Sequence, residues 1–206
     1  TWNGKSAFPE DHDLFCGSVG QTGTIHGNYL AANADVVVSI GCRFTDWSSS
    51  SYAKGRSFSF PPAKLIHIDI DPHEIGKIYP AEVGIVADAK PTVGAIVDSL
   101  PPKPDRTEYL AEVAERKAAW EAALSTRRDT DRFPFTLQRP LAALRNVMDR
   151  NGIVLVGSGN TQGAVKQTFP VYEPRTHLTT GGFSSMGWPV PAALGAKLAA
   201  PERQVA

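Results

Sequence analysis

The sequence is short of disulfide-forming residues, with only Cys16 and Cys42 in 206 positions. Two cysteines cannot build a disulfide framework and suit a reducing compartment, so a cytoplasmic location is expected. Charge of either sign is not in excess either, because 21 Lys and Arg are matched by 21 Asp and Glu. With no basic surplus there is no electrostatic pull toward nucleic acid or an anionic bilayer, and neither is expected as a partner. Nothing approaches the roughly 20 consecutive apolar residues that cross a membrane. The longest apolar block, Ala34 to Ile40, is interrupted by Asp35 and Ser39. Several motifs are also missing. His12, His26, His67, His73 and His177 show no HExxH or Cys-His zinc spacing, and no metal ligands are expected in this stretch. There is no GxSxG elbow, no Lys-bearing phosphate loop and no complete GxGxxG. The chain opens at Thr1 without a Met or a signal-like segment, and the expectation is a piece of a longer cytosolic protein.

What is present reads as a folded α/β chain. Hydrophobic residues make up 42% and charged residues 20%, close to globular averages. Val36 to Ile40, Lys64 to Ile70 and Val83 to Val86 are β-branched, nearly continuous apolar runs. Such runs predict strands of a parallel sheet buried on both faces. Thr24 to Asn33 and Pro91 to Leu100 carry helical spacing, the second with apolar Val93, Ile96, Val97 and Leu100. Pro101 to Arg106 is a stiff linker into a long amphipathic helix with Leu110, Val113, Trp120 and Leu124 on its stripe.

A second unit begins near Phe135. Thr136 is a candidate cap for a helix through Met148, and Ile153 to Val156 is another buried strand. Gly157-Ser158-Gly159-Asn160-Thr161-Gln162 follows that strand, and a second glycine-dense turn spans Gly181 to Gly187. A small-residue helix from Pro191 to Ala200 comes next, and a further strand starts near Val205. The domain reading is 1–100, a connecting helix at 101–135, and a truncated second domain at 136–206.

Ligands of open α/β sheets sit beyond the carboxyl ends of the strands. The residues there are Gly41, which allows close backbone approach, Arg43, a fork-shaped donor for phosphate, and the carboxylates Asp69 and Asp88. Gly20 to Thr24 precedes a helix, where free amides favour phosphate. Together these features suit a dinucleotide-sized ligand; for any one residue alone, a plain turn at Gly41 or a helix-capping aspartate is the favoured reading. The 157–162 segment has the glycines and amide-bearing side chains of a phosphate loop, and an ordinary strand-to-helix turn is the competing reading. Met186 is a large apolar side chain inside a glycine and serine loop, off any periodic stripe, either a wedge under a flat ligand or a loop anchor. His67, mid-strand, reads as a satisfied core histidine, and the four tryptophans as packing residues.

Gly4 to His12, Ala34 to Phe44 and Ile66 to Lys77 together resemble the central domain of thiamine-diphosphate-dependent enzymes of the acetolactate synthase type. Thr179 to Ala196 resembles the start of their C-terminal diphosphate-binding domain. The resemblance implies a Rossmann-like, parallel-sheet central domain followed by a truncated thiamine-diphosphate-binding α/β domain. In the flavin-carrying branch it puts Gln21, Thr22, Gly23, Gly41, Arg43, Asp69, Ile70 and Asp88 on an FAD site. It puts Gly159, Asn160, Thr161, Gln162 and Gly182 on the thiamine diphosphate. Met186 falls on the residue that bends the coenzyme, and the Ser184 carbonyl on the acceptor for its aminopyrimidine. That coenzyme supplies the carbanion and the electron sink for attack on a 2-oxo acid and its decarboxylation.

The same resemblance implies Mg²⁺ ligands and an activating glutamate outside this stretch, a homodimer or homotetramer, and an inactive fragment when isolated. Thr22 stands where synthases usually have His, Thr45 and Trp47 replace an acidic and a basic residue, and Gly163 stands where a bulky residue is common. Gly157 and Ser158 replace the usual acidic entry to the diphosphate loop. The expected reaction is acetolactate synthase-like carboligation. A thiamine-diphosphate-dependent C–C hydrolase or acetyltransferase, or an FAD- or NAD-binding module without thiamine chemistry, are the alternatives.

Overall fold

The computed structural model describes residues 1–102 and 104–206; Lys103 of the expected linker lies outside the described residues. The first unit carries α1 (Ile25–Ala32), β1 (Val36–Ile40), β2 (Lys64–Asp69), β3 (Val83–Val86) and α2 (Ala89–Ser99). The three strands form one parallel sheet in the order β1-β2-β3. Val36, Val37 and Val38 pair with Lys64, Leu65 and Ile66, and Ile66 pairs with Val83. Side chains alternate across a strand, so Val37, Leu65 and His67 share one face and Val36, Val38, Ile66 and Val83 the other.

The first face carries the core. Leu65 packs with Phe44 and Phe58, and Phe60, Tyr79 and Val37 close around them. Phe44 meets Phe58, His67 and Tyr79 edge-on, each at 5.3 Å between ring centres. This aromatic cluster lies in the 41–63 and 70–82 connections, which contain no α-helix. Burial of each such ring or Leu is worth about 2 kcal/mol, enough for loops to do a crossover helix's packing. His67 is buried as expected, with Nε2 3.0 Å from the Cys42 carbonyl and Nδ1 accepting from the Gly76 amide.

The opposite face corrects in part the expectation of strands buried on both sides. Ile68 on that face is fully buried, while Val36, Val38, Ile40 and Val83 are exposed, and so are Val93, Val97 and Leu100 of α2. Pattern alone signals an apolar face; it does not supply the layer that covers it. α2 starts where Asp88 accepts a hydrogen bond from the Lys90 amide, a side-chain cap.

The long helix α3 (Thr107–Arg128) buries Val113 and Leu124 of its predicted stripe, while Leu110 stays exposed. α4 (Gln138–Val147) starts without a side-chain cap. Thr136, expected to cap it, donates instead to the Arg127 carbonyl and ties α4's entry to α3's end. β4 (Val154–Val156) pairs in parallel with β5 (His177–Thr179), a strand the sequence reading passed over because it is only three residues long. On β4's other side Ile153 bridges Val205, where a strand was expected to begin. α5 (Asn160–Thr168) and α6 (Pro189–Ala199) follow the two glycine turns. Val154, Val156, Val165, Phe169 and Val171 make the second core. Among the described residues no helix is long and apolar enough to cross a membrane.

Candidate functional site

Three loops that precede helices, and the tips of the first sheet, hold the candidate ligand residues. The loop before α1 is closed on itself. Gln21 N donates to the Trp47 carbonyl, Gly23 N to Gly20, and Thr24 N to Ser18. Thr24 Oγ1 accepts the Gly27 amide, so α1 is capped. The amides expected to be free for phosphate are therefore mostly taken. Gly23 is there for packing: a Cβ on it would lie 2.6 Å from the Ser18 carbonyl oxygen. Asn28, which no sequence signal marked, holds Gly20 from both sides, its Oδ1 accepting the Gly20 amide and its Nδ2 donating to the Gly20 carbonyl.

The loop before α5 is open. Gly159, its N-cap, sits at φ 112 with no side-chain cap, and a Cβ there would meet nothing within 4 Å. Asn160 and Thr161 are exposed at the start of a nine-residue helix with no side-chain cap, and of the first-turn amides only that of Gln162 is spent, on the Gly159 carbonyl. Gln162 Nε2 donates to Ser184 Oγ at 2.8 Å and so binds this loop to the Gly181–Gly187 turn. In that turn Gly181, Ser184 and Gly187 have φ of 67, 49 and 79, and Phe183 and Met186 are 97% and 87% exposed. Neither side chain anchors the loop. Thr180 Oγ1, just ahead of the turn, is buried with no partner among the described residues. An uncapped helix N-terminus, an open glycine and an orphaned hydroxyl beside them fit a diphosphate. Gly157 is a packing glycine, since a Cβ on it would come within 2.9 Å of Pro189.

At the sheet tips Gly41 has φ 61 with open space around it, and Arg43 is exposed. Asp69 is buried, and its Oδ1 accepts the Asp71 amide; Asp88 caps α2; Ile70 is exposed. The strand register brings Gly41, Asp69 and Ile70 to one edge, and the Gly41 amide donates to the Ile68 carbonyl. Against FAD this set fits in part: Gly41 and Arg43 offer a phosphate approach, and the Gln21–Gly23 loop does not. Among the described residues no group of three or more His, Cys, Asp or Glu could hold a metal.

The closed loop meets the helix that bears the open one. Gln167 Nε2 donates to the Thr22 and Gly23 carbonyls, and Lys166 Nζ to the Val19 carbonyl at 2.8 Å. A Cβ on Gly163 would lie 3.3 Å from Thr22 Cγ2, so two positions that depart from the synthase pattern face each other. The resemblance puts Thr22 on an FAD site, and in the structure its side chain lies against Gly163 of α5.

Two family models match the chain. The family model "Thiamine pyrophosphate enzyme, central domain" matches residues 1–96, and "Thiamine pyrophosphate enzyme, C-terminal TPP binding domain" matches residues 157–206. A probable acetolactate synthase large subunit of Methanocaldococcus jannaschii is 37% identical over 100% of this chain and 35% of its own length. The acetolactate synthase large subunit of Corynebacterium glutamicum is 35% identical over 96% of this chain and 31% of its own. A 3D-(3,5/4)-trihydroxycyclohexane-1,2-dione hydrolase of Bacillus thuringiensis is 29% identical over 100% of this chain and 35% of its own. The chain thus spans about a third of the length of these curated relatives. With both domain models matched in chain order, the chain belongs to the thiamine pyrophosphate enzyme family.

Proposed function

We propose that the protein, in its full natural length, is a thiamine-diphosphate-dependent enzyme acting on 2-oxo acids, with an acetolactate synthase-like carboligation as its reaction. The observation that carries this reading is the uncapped N-terminus of α5 at Gly159, tied through Gln162 to the turn that presents Met186. The Asn160 and Thr161 amides and side chains would hold the diphosphate, with the positive end of α5 adding to the attraction. Met186 would bear on the coenzyme's face, with Ser184 and Gly182 beside it, and Gln162 would keep that turn in register with the diphosphate loop. When bound, the coenzyme supplies a carbanion and an electron sink. The Mg²⁺ ligands would come from outside this stretch, and a second subunit would cover the exposed Phe183 and Met186, giving at least a dimer. A flavin, if held, would sit at Gly41, Arg43 and Asp69; the proposed chemistry does not call on it.

A hydrolytic reading on the same coenzyme has one observation in its favour, the full-chain similarity to the dione hydrolase. Pyruvate turnover by the natural-length protein separates the two. Carboligation predicts thiamine-diphosphate-dependent CO₂ release with formation of a longer 2-hydroxy-3-oxo acid. Cleavage of a cyclic 1,2-dione with no CO₂ from pyruvate would favour the hydrolase, and activity independent of thiamine diphosphate would sink both.

A further inference from the structure

Away from the coenzyme loops lies a cavity of about 450 Å³, between α1, α3 and the last turn of α5. Its walls are apolar where Phe15, Trp120, Leu124 and Phe169 meet. Two polar groups in it are unusual. Lys166 is only 4% exposed, and among the described residues it has no carboxylate partner, just the Val19 carbonyl. An ammonium taken out of water without a counter-charge costs several kcal/mol. His26 is 6% exposed, and its Nδ1 is buried with no partner among the described residues. Its ring lies 5.9 Å from that of Trp120, tilted by 46°.

Of the other charges in the wall, Lys117 is only partly buried and donates to the Asp13 carbonyl, and the rest are paired. Glu10 pairs with Lys5 at 2.6 Å and also accepts the Val171 amide. Arg128 meets Glu121 at 2.6 Å and Asp129 at 2.9 Å. Lys166 is thus the buried cation of this wall without a carboxylate, Lys117 is a second, partly exposed one, and His26 lies on the same wall.

We propose that this cavity binds a small monocarboxylate with a flat, apolar body, its carboxylate on Lys166 and its body between Trp120, His26 and Phe169. Burial lowers Lys166 to about 8 and His26 to about 4, so near neutral pH the first is mostly charged and the second neutral. A dianion such as phosphate fits less well, because Glu10 and Glu121 also line the cavity, beside its apolar wall. Lys166 lies about 9 Å along α5 from Asn160, so this site and the diphosphate loop occupy opposite ends of one helix.

Calorimetric titration of the natural-length protein, saturated with thiamine diphosphate, tests the proposal with phenylacetate as probe and phenylacetamide as its neutral control. Phenylacetate is expected to bind at millimolar concentration or below, with the amide about tenfold weaker or more. Lys166→Met should weaken phenylacetate about tenfold without changing the amide. Should that variant not fold, Ala118→Trp, on the exposed rim of α3, fills the chamber and should abolish binding with the melting temperature kept. No heat with phenylacetate, equal binding of the amide, unchanged affinity in a folded Lys166→Met, or binding that survives Ala118→Trp would each overturn it. None of these outcomes bears on the thiamine-diphosphate reading, which is measured by turnover.

Discussion

The loops before α1 and before α5 look alike as sequence, each with two glycines, a glutamine and at least one threonine leading into a helix. In space they are opposites. At Gly20–Thr24 the amides of Gln21, Gly23 and Thr24 are spent on nearby carbonyls and the helix is capped by Thr24. At Gly157–Gln162 the helix starts uncapped on a glycine with open space around it. The difference teaches that glycine density does not identify a phosphate loop; the fate of the backbone amides does. The closed loop serves another purpose, as the seat on which Lys166 and Gln167 fix the far end of α5. One loop holds the helix, and the other presents what the helix offers.

The contrast is broken most sharply at the Gly181–Gly187 turn. Met186→Ala should cut kcat by about tenfold to a hundredfold, since misplacing a bound coenzyme by an ångström is that costly. The melting temperature should hardly move, because Met186 is 87% exposed; turnover and thermal melting measured together check both halves. In the closed loop the ranking reverses. Gly23→Ala should lower stability by about 2–3 kcal/mol, because its Cβ would press on the Ser18 carbonyl, and thiamine diphosphate affinity in the folded fraction should change little. Chemical denaturation and coenzyme titration separate the two effects.

Acid should loosen the seat as well. Burial lowers His26, on α1 behind the closed loop, to about 4, and His177 in the second unit to about 3. The unfolded chain protonates both near 6.5, so below that pH it binds more protons than the folded one. Stability should therefore be complete above pH 6.5 and fall as pH drops toward 4, by on the order of 2 kcal/mol for each histidine. His26→Phe should flatten the part of that fall due to α1, as melting curves across this range would register.

The smallest effect lies at the contact between the loops. Gly163→Ala gains helix propensity of about 1 kcal/mol and loses a similar amount against Thr22 Cγ2, so alone it should be near neutral. With Thr22→Ser the methyl is gone, and the same change should stabilise by about 0.5–1 kcal/mol in a double-mutant cycle.

Much of this was legible in the chain. The strands at Val36, Lys64 and Val83 are apolar runs of the right length, and Asp88 and Thr24 stand where caps belong. Three things were not. The cover of the sheet comes from Phe44, Phe58, Phe60 and Tyr79, scattered through loops with no period to betray them. The pairing of β5 with β4 is a contact between distant residues, and a run of three residues carries no signal of its own. The closure of the Gln21–Gly23 loop depends on the Trp47 and Ser18 carbonyls, and a local reading of Gly-Gln-Thr-Gly cannot see them. For the candidate sites, residue type and strand-end position were readable, while which amides remained free was decided by tertiary contacts.

The account rests on the open loop being the coenzyme's seat, and calorimetry of the natural-length protein with thiamine diphosphate and Mg²⁺ tests it most directly. In Asn160→Leu and Gly159→Val the diphosphate approach is filled, and coenzyme affinity should fall by about a hundredfold, while Thr22→Val and Gln21→Leu in the closed loop leave it within about threefold. Undiminished affinity in the first pair, with loss of binding in the second, would contradict it.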